Sequence, residues 1–192
     1  MNSIEENIFT IHGLWPDFKR PTPEKYEHCN KGNKIELDNL MDDSYYPDLI
    51  HNLNKYWVSN NMDNIYFWTH EYNKHGTCYT MKNQKEYIHY FEYVIQHFLE
   101  KKLHRLLSEE VRKYQITEVD NFKFVSLPYQ EIMKILERKL NTSFALKCFK
   151  MNKKQFLKEL FIYYDVSFKN IDMKDDDRGS CYPNSDILIL MR

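Results

Sequence analysis

Phe67-Trp68-Thr69-His70-Glu71-Tyr72-Asn73-Lys74-His75-Gly76-Thr77-Cys78 places four ionisable side chains within six positions. Read as a compact helical turn over His70–His75, it sets His70 with Lys74 and Glu71 with His75. Each pair is four residues apart and shares a face. The four side chains then form one broad stripe. Gly76 suits the position just past a helix end, where a left-handed backbone favours glycine. A zinc protease would need two histidines four apart around a Glu. Here they are five apart, which turns the second by about 140° at 3.6 residues per turn. The metal-binding geometry of that motif is lost. The plainer alternative is a solvated charged face. Two His, a Glu and a Lys between Phe67-Trp68 and Gly76-Thr77-Cys78 weigh against it.

A second segment, Phe9-Thr10-Ile11-His12-Gly13-Leu14-Trp15-Pro16-Asp17, reads as a short strand over Ile8–Leu14 ending in a turn at Trp15-Pro16. His12 is followed at once by one of only 4 glycines in the chain. A glycine there lets another group approach the backbone closely. The alternative for His12 is a core histidine beside a packed Trp. Together the segments suit concerted proton transfer, one imidazole taking a proton while the other gives one. Lys74 and a third His add positive charge. That set fits attack of a ribose 2′-OH on the adjacent phosphorus, with charge on the phosphorane stabilised by the cations. Such a reaction calls for RNA, because DNA lacks the 2′-OH.

The rest of the chain sets the frame. Its 192 residues suit a single domain over 1–192. With 42% hydrophobic and 16% aromatic residues it is a folded chain rather than a disordered one. The net charge of −1 argues against a broad basic surface, so a nucleic acid would be held at a local site. No apolar run is long enough to span a membrane. Met1–Phe9 lacks the basic start and apolar stretch of a signal peptide. Asn141-Thr142-Ser143 is a glycosylation sequon, a pattern that arises often by chance. Loop signals cover Lys19–Lys34 and the acidic Asp172–Gly179. Helical patterns cover Glu36–Asp43, Asp48–Tyr56, Gln84–Leu107 and Tyr129–Leu140. Ile65–Thr69 is a short apolar run. Strand patterns cover Phe122–Val125, Phe144–Phe149, Phe156–Phe168 and Ile187–Leu190. Helices in the middle and strands at both ends read as α+β. Cys29, Cys78, Cys148 and Cys181 allow three disulfide connectivities.

The two segments resemble, in content and order, the two active-site segments of the ribonuclease T2 family of acid endoribonucleases. The resemblance runs over most of the chain from Phe9 onward. It implies a central, mostly antiparallel sheet packed with several helices. Fewer residues precede His12 than in the family, which implies that the usual first strand is missing and that the N-terminus is shortened. That shortening would also account for the missing signal peptide. By position, His75 matches the general base, His12 the general acid and His70 a phosphate-binding histidine. Glu71 and Lys74 match the pair that stabilises pentacovalent phosphorus. Trp15 and Asp17 match contacts to the upstream base, and Phe67 a contact to the downstream base. Core packing for Trp15 and Phe67, and a turn after Pro16 for Asp17, stay open as alternatives. The resemblance pairs Cys29 with Cys78 and Cys148 with Cys181. It implies a monomer acting on single-stranded RNA without metal, cofactor or membrane, in a secreted, lysosomal or vacuolar setting. The alternative function is a non-catalytic member that binds RNA or signals.

Overall fold

The computed structural model describes residues 9–15, 37, 45–78, 86–119, 121–164, 169 and 179–191. Asp17, Cys29, the Lys19–Lys34 loop, nearly all of the Glu36–Asp43 helix and most of the Asp172–Gly179 loop lie outside them. The described residues fall into two compact units, Phe9–His104 and Arg105 onward.

The first unit is helical. α1 (Pro47–Tyr56) starts on a proline, whose missing N–H costs nothing in a first turn, with Asp48 beside it. It buries Leu49, Ile50, Leu53 and Tyr56. α2 (Asn64–Lys74) is capped by Asp63, whose carboxylate accepts from the N–H groups of Ile65 and Tyr66. The cap makes Ile65–Thr69 and His70–Lys74 one continuous helix rather than an apolar run followed by a separate turn. α3 (Glu86–Glu100) buries Tyr87, Ile88, Tyr90, Phe91, Val94, Ile95 and Phe98, the expected helical stripe. It stops short of the expected Leu107. Lys102 takes a left-handed φ of 52°, and Leu103–Arg105 form a separate 3-10 turn.

The second unit carries the sheet. Its strands are β1 (Ile116–Val119), β2 (Phe122–Pro128), β3 (Phe144–Met151), β4 (Lys154–Ile162) and β5 (Asp186–Met191). They are ordered β1-β2-β5-β4-β3, and only the β4/β5 pair is parallel. The short helix α4 (Ser108–Val111) precedes the sheet. α5 (Tyr129–Leu140) lies between β2 and β3, buries Ile132, Ile135 and Leu136, and ends on left-handed Asn141. Along the sheet, Val125, Leu127, Ile187 and Ile189 alternate inward and are fully buried. Asn152 and Lys153, both at positive φ, form the two-residue turn between β3 and β4. Cys148 is bonded to Cys181, which ties β3 to the segment entering β5. Cys78 is disulfide-bonded as well. No helix among the described residues is long and apolar enough to cross a membrane.

One expectation is overturned. Residues 9–15 are not a strand. Instead of a ladder, they have three separate anchors. Ile11 N–H donates to Tyr56 O at 2.6 Å, Trp57 Nε1–H donates to His12 O at 2.8 Å, and the Tyr90 hydroxyl donates to Leu14 O at 2.9 Å. Backbone groups that would have paired with a neighbouring strand are taken largely by side chains.

Candidate active site

Helix α2 presents its ionisable residues on two sides. Glu71 and His75, four apart, are both buried, at 3% and 6% exposure. His70 is exposed and Lys74 half-buried. The five-residue step from His70 to His75 thus separates the two histidines, as the spacing argument requires. His75 closes the helix as its C-cap, with its N–H on Glu71 O at 2.9 Å. Gly76 opens the 3-10 turn Gly76–Cys78. Its φ is not positive, contrary to the expected left-handed cap. Glycine is needed there for space, since a Cβ would stand 2.5 Å from the Tyr72 ring. Tyr72 in turn packs against Tyr87, Tyr90 and Phe91 of α3.

Trp15 joins the two segments. Its Nε1–H donates to Glu71 Oε2 at 2.8 Å. Its indole stacks on His75, with centroids 4.9 Å apart and planes 28° from parallel. The His12 ring meets the same indole edge-on at 5.4 Å and lies 5.9 Å from Phe67. His12 and His75, which stand 63 positions apart in the chain, therefore border one aromatic plate. Gly13 completes the arrangement. A Cβ there would collide with Glu71 Oε2 and stand 2.6 Å from Trp15 Nε1. The group that approaches this glycine is the catalytic-type carboxylate itself.

The electrostatics centre on Glu71. Burial, the largest influence, pushes its carboxyl above the usual carboxylate range. The Trp15 hydrogen bond and the charges of His12, His70 and Lys74 act in the opposite direction. One buried carboxyl is thus poised among three cationic or titrating groups. Among the described residues, no three His, Cys, Asp or Glu side chains group as metal ligands would.

The structure therefore gathers His12, Trp15, Phe67, Glu71 and His75 through direct contacts, and sets His70 and Lys74 within electrostatic reach of Glu71. The sequence reading missed Trp57, Trp68 and Tyr90. All 3 tryptophans of the chain use their indole N–H here. Trp15 bonds Glu71, Trp57 bonds His12 O, and Trp68 bonds Trp57 O at 2.7 Å. The rarity of Trp was the available signal. Nothing in the spacing showed which carbonyls the indoles would reach.

Comparison with known proteins bears on the family and the fold. The model of the Ribonuclease T2 family matches residues 1–181. A ribonuclease T2-like protein of Candida glabrata is 43% identical over 81 residues, covering 36% of this chain and 18% of that protein. Human ribonuclease T2 is 35% identical over 90 residues, covering 42% of this chain and 29% of that protein. The aligned stretch spans less than a third of either relative's own length. In fold, the crystal structure of human RNase T2 matches with a TM-score of 0.66 at 21% identity, covering 94% of this chain and 84% of the other. Ribonuclease MC1 from bitter gourd seeds matches with a TM-score of 0.64 at 22% identity, covering 92% and 83%.

Proposed function

Because this chain belongs to the ribonuclease T2 family, we propose that it is an endoribonuclease that cleaves single-stranded RNA by acid–base transphosphorylation without a metal. The observation that carries the reading is the pair His12 and His75 bordering one Trp15 indole, with the Glu71 carboxyl on that indole's N–H. His75, as base, takes the proton of the 2′-OH. The 2′-oxygen attacks the adjacent phosphorus. His12, as acid, protonates the departing 5′-oxygen, leaving a 2′,3′-cyclic phosphate. In a second step water would open the ring to a 3′-phosphate.

His70 and Lys74 supply positive charge to the phosphate and its transition state. Glu71 has a more specific part in this account. Burial raises its carboxyl above the usual range, which makes the protonated form more accessible in acidic solution. Trp15 occupies Oε2 as a donor, and a protonated Oε1 would then donate to a non-bridging phosphorane oxygen. Trp15 and Phe67 offer aromatic faces for bases next to the scissile bond, where stacking is worth about 1–3 kcal/mol per base. Cys78 and the Cys148–Cys181 pair are both disulfide-bonded, which supports action in an oxidising compartment, secreted, lysosomal or vacuolar.

Cleavage of single-stranded RNA in EDTA at mildly acidic pH, with product ends identified, tests the proposal. Cyclic phosphate ends are expected. RNA binding without cleavage by the oxidised full chain would favour the non-catalytic alternative.

A further inference from the structure

Among the described residues, no strand pairs with the segment that carries His12. The segment is nevertheless held at the carbonyls of the two residues that flank Gly13. Trp57 Nε1–H takes the carbonyl of His12, and the Tyr90 hydroxyl takes the carbonyl of Leu14. Both donors are anchored in the core. Trp57 is fully buried and Tyr90 is 3% exposed. The Trp57 ring meets Tyr90 at 6.0 Å and Phe91 edge-on at 5.3 Å, so the two donors belong to one aromatic cluster on α3. The carbonyl of Trp57 accepts from Trp68, which stands on α2 three positions before Glu71. A chain of contacts therefore leads from the helix of Glu71 and His75, through Trp68 and Trp57, to the backbone of His12.

From this geometry we propose that Trp57 and Tyr90 are positioning residues. They fix the His12 backbone so that its imidazole is held at the Trp15 edge and Gly13 lies under the Glu71 carboxyl. Neither touches the reacting atoms. Their effect is on the angle and distance at which His12 delivers its proton. Misplacement on the ångström scale costs up to about a hundredfold in rate. The close approach of Glu71 at Gly13 makes the requirement sharp, since a residue with a Cβ in that place would collide with Glu71 Oε2. This inference rests on the proposed role of His12 as acid, and it needs a test that survives the failure of that role.

The variants are Tyr90→Phe, which removes one hydroxyl and keeps the ring, and Trp57→Phe, which removes the indole N–H. Each is made in the oxidised full chain. Thermal melting gives the folded fraction, and kcat and KM on a short RNA are taken per folded molecule. The His12 ring resonances are followed by NMR, because Trp15 and Phe67 shift them through ring currents. The expected result is a fall in kcat of about tenfold with KM within about twofold, and His12 resonances moved toward those of a histidine with no aromatic ring beside it. A lowered melting temperature with unchanged kcat per folded molecule and unchanged His12 resonances would overturn the proposal. If the wild-type chain cleaves no RNA, the ribonuclease reading fails. The His12 resonances then decide positioning alone, supporting it if they move and contradicting it if they do not. Should Trp57→Phe not fold, Tyr90→Phe decides by the same two readouts.

Discussion

The indole N–H of Trp15 donates to the buried carboxyl of Glu71 at 2.8 Å, while the face of the same indole lies on His75. One side chain thus touches the proposed base, His75, and shifts the carboxyl of Glu71. The hydrogen bond favours the charged form of Glu71 and works against the burial that raises its pKa.

Trp15→Phe tests that link. The stack on His75 is retained and the hydrogen bond is lost. The lost bond favoured the charged form, so the part of the cleavage pH profile that depends on Glu71 is expected to move toward higher pH. The Glu71 carboxyl should titrate at higher pH than in the wild type. Carboxyl-sensitive NMR or infrared titration reads the direction, and an unchanged or lower value would contradict the account.

Glu71 also makes a prediction about stability. Its folded pKa lies above the ordinary 4.5. Such a group favours the folded state below its unfolded value and loses that contribution as pH rises through the folded value. Glu71→Gln keeps the size and cannot titrate. Its melting temperature, relative to the wild type, should therefore rise between about pH 4 and pH 7. A relative fall over that window would reverse the sign assigned here.

Gly13→Ala should be costly although it adds one methyl. The Cβ would meet both the Glu71 carboxyl and the Trp15 indole, which are joined by their own hydrogen bond. A destabilisation of about 1–3 kcal/mol is expected, with cleavage reduced further than folding. Denaturant melts and rates on the folded fraction separate the two.

In the sheet unit, replacing Cys148 and Cys181 together by Ala opens a loop of sequence separation 33. Chain-entropy reasoning puts the loss near 4 kcal/mol. Because the first unit holds the site residues, the oxidised and alanine forms should share the same pH profile of cleavage where both are folded.

Much of this arrangement was legible in the chain itself. The α3 stripe follows from periodicity, and α5 is the helix expected after Pro128, whereas β2 runs on past the expected Val125 to Pro128. The two motif segments also named side chains that the structure brings into contact: His12, Trp15, Phe67, Glu71 and His75. What escaped was tertiary in origin. Phe9–Leu14 looks β-like, yet Trp57 and Tyr90 satisfy its carbonyls from 45 and 76 positions away, and no strand is needed. Gly76 looked like a helix cap, and its lack of a side chain serves the Tyr72 ring instead. β1 has only four residues, too few for a pattern to show. The sequence does not single out Trp57 and Tyr90, because it does not show where a buried N–H or O–H will point.

The central claim is that His12 and His75 transfer protons in a single RNA-cleaving site. Its most direct test is the cleavage of single-stranded RNA by the wild type, His12→Ala and His75→Ala in EDTA at mildly acidic pH, with analysis of the product ends. The account predicts 2′,3′-cyclic phosphate ends from the wild type, no cleavage of the matching DNA, and rates lowered about 10²–10⁴-fold in each variant. Equal cleavage of DNA, loss of wild-type activity in EDTA, or an unchanged rate in either variant would contradict it.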